Sequence, residues 1–284
     1  MKKSTDTLHL LITCSRDNTR HDVLKYVVEN IVDNFSEYIE DSLLVFDNDS
    51  SVPETLSLLE ENFRNVVKSN KNIGYWSALF WCVNNYEKVL GRKFKYINVI
   101  ESDSTYYDVH KLVSAEDFLN KYNDVCGSVR TREFSIKNAH LYDKLRPSPN
   151  SKRNAWVVQK NHITHHPIWF KETEFPDVYL SNFHGVTNAL NKINDIRDII
   201  NTLKTRKNFT EGDFFTEFCR KYDVCGVIDG GVFSCSEDVY GHFGLKVVTS
   251  SWSSPAELEK FGYLPTRDGL RIYDEDEYDV TCIN

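Results

Sequence analysis

No apolar stretch in the chain approaches the ~20 residues needed to cross a bilayer. A secretory leader is missing as well: Met1-Lys2-Lys3-Ser4-Thr5-Asp6 runs straight into a strand-like segment. These absences point to a soluble, cytoplasmic protein. Paired cysteine motifs are also missing. The seven cysteines (Cys14, Cys82, Cys126, Cys219, Cys225, Cys235 and Cys282) are odd in number, scattered and without a Cys-x-x-Cys pair. They read as reduced, mostly buried thiols acting as small hydrophobes. Positive charge is short, with a net charge of −8, so no global field draws in a phosphate backbone. Two local basic clusters remain: Lys144, Arg146, Lys152 and Arg153, and Lys204, Arg206 and Lys207. Both fit solvated segments. Neither the glycine fingerprint of a dinucleotide-binding domain nor a P-loop occurs. There is no internal repeat.

What is present is a folding composition. Of 284 residues, 40% are hydrophobic and 27% charged, and aromatics reach 13%, which excludes disorder and calls for a large core. Leu8–Thr13 is a short apolar run predicted to be a buried strand, followed by a helical stripe over His21–Val32. Ser42–Phe46 predicts a second strand, stopped by the turn cluster Asp47-Asn48-Asp49-Ser50. Pro53-Glu54 opens a short helix, Phe63–Val67 fits a third strand, Gly74–Leu90 a helix and Tyr96–Ile100 a fourth strand. Further on, residues 140–153 read as a loop or hinge. Ala155–Gln159 reads as a strand, Val186–Leu203 and Glu211–Tyr222 as helices, and Cys225–Asp229 as a strand. The acidic end, Tyr273–Tyr278, reads as a solvated tail. Alternating strands and helices predict an α/β architecture, Rossmann-like, with a mainly parallel sheet covered on both faces.

In such sheets ligands bind beyond the carboxyl ends of the strands. Those ends are Thr13-Cys14-Ser15-Arg16, Asp47-Asn48-Asp49 and Glu101-Ser102-Asp103. The last places two carboxylates at i and i+2, which share a side in strand geometry. Hard Mg²⁺ or Mn²⁺ takes such oxygens and completes its shell with substrate phosphates. An acidic turn capping the next segment accounts for the same residues. Asp47 and Asp49 can accept hydrogen bonds from a base or ribose. Lys71–Ala78, with Asn72, Gly74 and Ser77, opens a helix whose free N–H groups favour phosphate; a plain turn and cap fits equally. The histidines of Asn161–Pro167, together with His184, match no standard zinc spacing. They read as surface residues or an acceptor-binding loop. Trp156 and Trp169 are core or ring-stacking residues.

The order of these features resembles the GT-A glycosyltransferases, the nucleotide-diphospho-sugar transferase fold, and especially their family-2-like group. Similarity runs through Thr13–Arg16, Asp47 or Asp49, Asn72 with Gly74, and Glu101-Ser102-Asp103, where Glu replaces the first Asp of an Asp-x-Asp turn. It covers about residues 8–130 and extends over 205–235. The resemblance implies that Thr13, Cys14, Ser15, Arg16, Asp47, Asp49, Asn72, Gly74 and Ser77 bind a nucleotide-sugar, a UDP-sugar foremost. Metal would be held by Asp103 and Glu101. It implies a base at Glu211 or Asp213 that deprotonates an acceptor hydroxyl in an inverting hexosyl or pentosyl transfer; helix capping explains the same acids. Members often carry a His after the last core strand as a third ligand. Val232-Phe233-Ser234-Cys235 stands there instead, and His242 is the nearest substitute.

By the same resemblance residues 1–135 form the nucleotide-sugar-binding half. Residues 136–284 form the acceptor-binding and catalytic half of one continuous domain with a C-terminal extension. The acceptor would be a glycan or, as in phage enzymes that glycosylate hydroxymethylated bases, DNA. Two rivals stay open. A nucleotidyltransferase normally has a Gly-rich basic loop after its first strand, which Thr13–Asp17 lacks. A catalytically inactive GT-A-like nucleotide-binding module fits the Glu-for-Asp change and the missing His.

Overall fold

The computed structural model describes residues 6–131, 156–159, 162–165, 173–175, 177–181, 186, 188–205, 211–222, 224–228, 231–234, 236–245 and 272–283. Strand β1 (Thr7–Thr13) leads into α1 (Asn18–Ile39), followed by β2 (Leu43–Asp47), α2 (Pro53–Asn62), β3 (Val66–Ser69), α3 (Gly74–Leu90) and β4 (Tyr96–Ile100). Then come α4 (Lys111–Lys121), β5 (Cys126–Arg130), a hairpin of β6 (Trp156–Gln159) and β7 (His162–His165), β8 (Val178–Ser181) and β9 (Ala189–Lys192). The chain continues with α5 (Ile193–Lys204), α6 (Glu211–Lys221), β10 (Val224–Ile228), α7 (Ser236–His242) and β11 (Val280–Cys282).

Nine strands form one sheet in the order β11-β3-β2-β1-β4-β9-β5-β10-β8. Strands β1 to β5 and β10 run one way, while β8, β9 and β11 run the other. The alternation of β1 explains how it is sandwiched. Leu8 and Leu10 pack with α3, α5 and α6 on one face, and Leu11 packs with α1, α2 and α4 on the other. Helices therefore cover both faces, as predicted. Helix α1 is positioned by Asp17, whose carboxylate accepts the Arg20 N–H at 2.9 Å. Its stripe Val23, Leu24, Val27, Val28 and Ile31 is buried.

Several expectations are corrected. Helix α1 spans 18–39, longer than the predicted 21–32. The third strand is 66–69, because Phe63 caps α2 by donating to the Leu59 carbonyl at 2.9 Å. The helix predicted from Val186 begins only at Ile193. Ala189–Lys192 is instead a strand wedged antiparallel between β4 and β5, with Ala189, Leu190 and Asn191 buried. Two ladders of backbone hydrogen bonds outweigh local helix preference there, and Asn188, at φ 49°, blocks a helix from running in. His162–His165 is a strand rather than a loop. The acidic end is not a free tail: Glu275–Glu277 is a capped 3-10 turn, Ile272 and Tyr278 are buried, and β11 adds to the edge of β3. The segment 140–153, Trp169 and His184 lie outside the described residues.

Candidate functional site

Parallel register brings the predicted strand ends level. Thr13 pairs with Asp47, and Leu11 pairs with Val45 on one side and Ile100 on the other. The Glu101-Ser102-Asp103 segment therefore leaves the sheet beside the end of β1. Helix α3 follows β3, and α6 precedes β10, a strand parallel to β5. Both helices therefore begin at this same carboxyl edge.

Side chains knit β1, β2 and α3 together. Asn48 Nδ2 donates to Asn72 Oδ1 at 3.1 Å, and Asn48 Oδ1 accepts the Ile73 N–H at 2.9 Å. Asn72 Oδ1 also accepts the Gly74 N–H at 2.8 Å, and Asn72 Nδ2 points to Cys14 Sγ at 3.6 Å. Gly74 sits at φ 74°, a left-handed conformation that glycine adopts freely. Asn72 is thus a cap within the loop. The backbone of Ser15 is pinned by Ser50 Oγ, which accepts its N–H at 2.8 Å, and by the Ser51 N–H at 2.9 Å. Thr13 and Ser15 are buried, whereas Cys14 and Arg16 are partly exposed. Burial pushes the Cys14 thiol up.

The two acids after β2 differ. Asp47 is wholly buried, binds the Ser50 hydroxyl, and has its carboxyl pushed up by burial. Asp49 is more open, at φ 62°, with Arg16 Nη1 3.8 Å from its Oδ2. Ser77 departs from expectation. Its side chain is fully buried, and its Oγ accepts the Tyr273 N–H at 2.9 Å, so the C-terminal segment covers it.

Glu101, Ser102 and Asp103 form a turn, closed by the Ser104 N–H donating to the Glu101 carbonyl at 3.2 Å. Strand alternation therefore does not relate the two carboxylates, a correction to the i, i+2 argument. The turn is clamped from two sides. Asn188 Nδ2 donates to Glu101 Oε2 at 2.8 Å and to Ser104 Oγ at 3.1 Å. Beyond it, Ser234 Oγ lies 2.9 Å from the Thr105 N and 3.0 Å from its Oγ1, while Tyr106 bridges Phe233. Tyr106 also reaches inward, its hydroxyl 3.0 Å from His9 Nδ1 in the middle of β1. His9 is buried and its pKa is lowered to about 3 by desolvation, so it is neutral.

His242 stacks on Tyr26, with centroids 4.5 Å apart and planes at 15°. Among the described residues no group of three His, Cys, Asp or Glu side chains is arranged to hold a metal ion. Glu101 and Asp103 are the two carboxylates of the turn, and oxygens of this type are the ligands a hard cation takes. Asp213 stands in the first turn of α6, next to Phe214, which is fully buried and stacks on Trp76 of α3 at 4.7 Å and 29°. That stack joins the start of α6 to the start of α3. Glu211 is the first helical residue. Lys204 pairs with Asp274 at 2.8 Å, whereas Arg206, Lys207 and the basic cluster at 144–153 lie outside the described residues. Asn48, Asn188, Ser234 and His9 were not singled out from the sequence. Asn48 carried a signal, since it sits inside the strand-ending turn. Asn188 carried none.

Among solved structures, that of GalNAc-T7 with UDP, GalNAc and Mn²⁺ superposes with a TM-score of 0.50 over 80% of this chain and 42% of that one, at 7% identity. The fold is of the GT-A type. S. aureus TarS 1–349 aligns at a TM-score of 0.48 and 12% identity over 84% of this chain and 63% of its own. The CMP:2-keto-3-deoxy-manno-octonic acid synthetase complexed with CTP aligns at 0.46 and 11% over 90% and 97%. The chain thus spans less than two thirds of TarS 1–349 and of GalNAc-T7. No family model matches the sequence, and no curated protein matches it significantly. In this GT-A fold no described helix is long and apolar enough to cross a membrane.

Proposed function

We propose that the protein is a metal-dependent, cytoplasmic glycosyltransferase that moves a sugar from a nucleotide-sugar, a UDP-sugar foremost, to a hydroxyl acceptor. One observation carries this: the ends of β1, β2 and β4 and the start of α3 meet at one sheet edge. The Asn48–Asn72 contact ties β2 to α3, and Asn188 holds the acidic turn. GalNAc-T7, which binds UDP, GalNAc and Mn²⁺, is built on the same fold.

Each group takes a role from its chemistry. Cys14, Arg16, Asp49 and Gly74 would meet the donor at this edge, backed by the buried Thr13, Ser15 and Asp47 and by Asn72. Asp49, the more open acid, accepts from base or ribose, and Arg16 offers a cation to the diphosphate. Asp103 and Glu101 would hold Mn²⁺ or Mg²⁺, which when bound neutralises charge on the diphosphate. Glu211 or Asp213 takes the acceptor hydroxyl's proton as its oxygen attacks the anomeric carbon. The bond to the diphosphate oxygen breaks, and a nucleoside diphosphate leaves, inverting the centre. Residues 1–135 serve the donor and 136–284 the acceptor, a glycan or a hydroxymethylated DNA base.

The test combines binding and turnover. UDP with Mn²⁺ should raise the melting temperature more than UDP alone, and UDP-sugars should be hydrolysed or transferred. Asp103→Ala should abolish the Mn²⁺-dependent part of both. Unchanged Mn²⁺-dependent turnover in that variant would defeat the proposal.

A further inference from the structure

Resting on the metal role proposed for Glu101 and Asp103, we infer that Asn188 is a positioning residue for the metal-binding turn. It is fully buried and sits at φ 49°. All of its polar groups are committed to the acidic turn or to the strands on either side. Its amide N–H₂ donates to Glu101 Oε2 at 2.8 Å and to Ser104 Oγ at 3.1 Å, and its Oδ1 lies 3.3 Å from the Glu101 N. Its backbone N–H donates to the Val99 carbonyl at 2.7 Å, and its carbonyl accepts the Thr131 N–H at 2.8 Å. One residue thus grips both ends of the Glu101–Ser104 turn while anchored to the end of β4 and the end of β5.

The side chain is suited to that task on three counts. An amide donates to a carboxylate without setting a further charge beside it. Its own carbonyl accepts from the backbone N–H of Glu101, which fixes the carboxylate and the main chain together. Asparagine also tolerates the left-handed backbone that this junction requires. Asp in this place would set a second negative charge against Glu101, and Ala would strain the backbone.

Asn188→Gly separates these functions, since glycine accepts φ 49° and removes only the amide. Three quantities decide the matter: the Mn²⁺ concentration for half-maximal thermal shift in the presence of UDP, the affinity for UDP without metal, and the urea midpoint. A positioning residue predicts that Asn188→Gly weakens Mn²⁺ roughly 10-fold or more, the range found for groups that orient metal ligands. UDP affinity without metal should stay within about twofold. The paired variant Glu101→Gln with Asn188→Asp rebuilds an amide–carboxylate contact in reverse. It should recover the urea midpoint but not the Mn²⁺ response. Equal Mn²⁺ response in wild type and Asn188→Gly overturns the role of Asn188, whereas recovery of the Mn²⁺ response by the reversed pair overturns the ligand role of Glu101 on which the inference rests. If the wild-type protein itself shows no Mn²⁺ response with UDP, the functional proposal falls first, before any variant is compared. Should Asn188→Gly fail to fold, Asn188→Ser provides the second arm, and a wild-type Mn²⁺ response in it counts against the inference.

Discussion

Asn48 and Asn72 face each other across the end of β2 and the start of α3, amide to amide, 3.1 Å apart. Each is turned by a backbone N–H of the same turn: Asn48 holds that of Ile73, and Asn72 that of Gly74. The helix end at the candidate donor site is therefore built by side chains of two loops and not by its own residues.

Asn48→Ala removes the partner of the buried Ile73 N–H. A buried donor left without an acceptor costs about 1–3 kcal/mol. Urea unfolding should show a loss of that size, and UDP affinity should fall as the start of α3 loosens. A variant as stable as wild type, with unaltered UDP binding, would show that the contact is dispensable.

His9 makes acid stability measurable. Its pKa is lowered from 6.5 to about 3 in the folded protein by burial, so below 6.5 the unfolded chain takes up a proton that the folded chain refuses. Stability from this group is complete above pH 6.5 and is lost as pH falls towards 3. Within that window it changes the folding constant by up to about tenfold per pH unit. His9→Gln keeps a polar partner for the Tyr106 hydroxyl without a titrating ring. Its unfolding midpoint should fall less steeply than wild type between pH 6 and 4; parallel curves would contradict the assignment.

Phe214 links the start of α6 to α3 through Trp76 and packs on Phe218 at 5.3 Å. Phe214→Ala should destabilise by about 3–5 kcal/mol, as full removal of a buried ring does, and Phe214→Leu by less. The two can be ranked by thermal or urea unfolding. A near-neutral Phe214→Ala would mean that the ring is not holding α6 in place.

The choice between a glycan and a DNA acceptor is open to a salt titration. If the acceptor is DNA, binding to a hydroxymethylated duplex should weaken steeply and linearly in the logarithm of salt concentration. With a net charge of −8, any such affinity has to come from local basic clusters. Absence of DNA binding at low salt would leave the glycan acceptor.

The sequence made β1 to β4 and their helices legible, because Leu8–Thr13 and Tyr96–Ile100 are continuous apolar runs and the stripe of α1 has a clean helical period. Boundaries drifted where capping decides, as at Phe63. What stayed hidden was set by distant partners. Ala189–Lys192 has too few residues to display a period, and becomes a strand only because β4 and β5 both offer free edges to it. Val280–Cys282 is partly exposed and needs the edge of β3. At the site, carboxylates at strand ends were visible, since acid after an apolar run stands out. The covering of Ser77 was not, because Tyr273, whose N–H its hydroxyl accepts, lies 196 residues away in sequence. The clamp from Asn188 on Glu101 spans 87 residues, and no local spacing rule records such a contact.

Strand β5 is bordered by β9 on one side and β10 on the other, and both are made after it. During synthesis residues 126–130 emerge with no sheet neighbour until residues 189–192 arrive. The β1–β4 layer, by contrast, can pair as it leaves the ribosome. The acidic turn after β4 thus stays without its Asn188 brace until late in translation. Nascent chains stalled before residue 188 should carry a β1–β4 layer but an unbraced Glu101–Ser104 turn, so the order of synthesis itself delays assembly of this sheet edge.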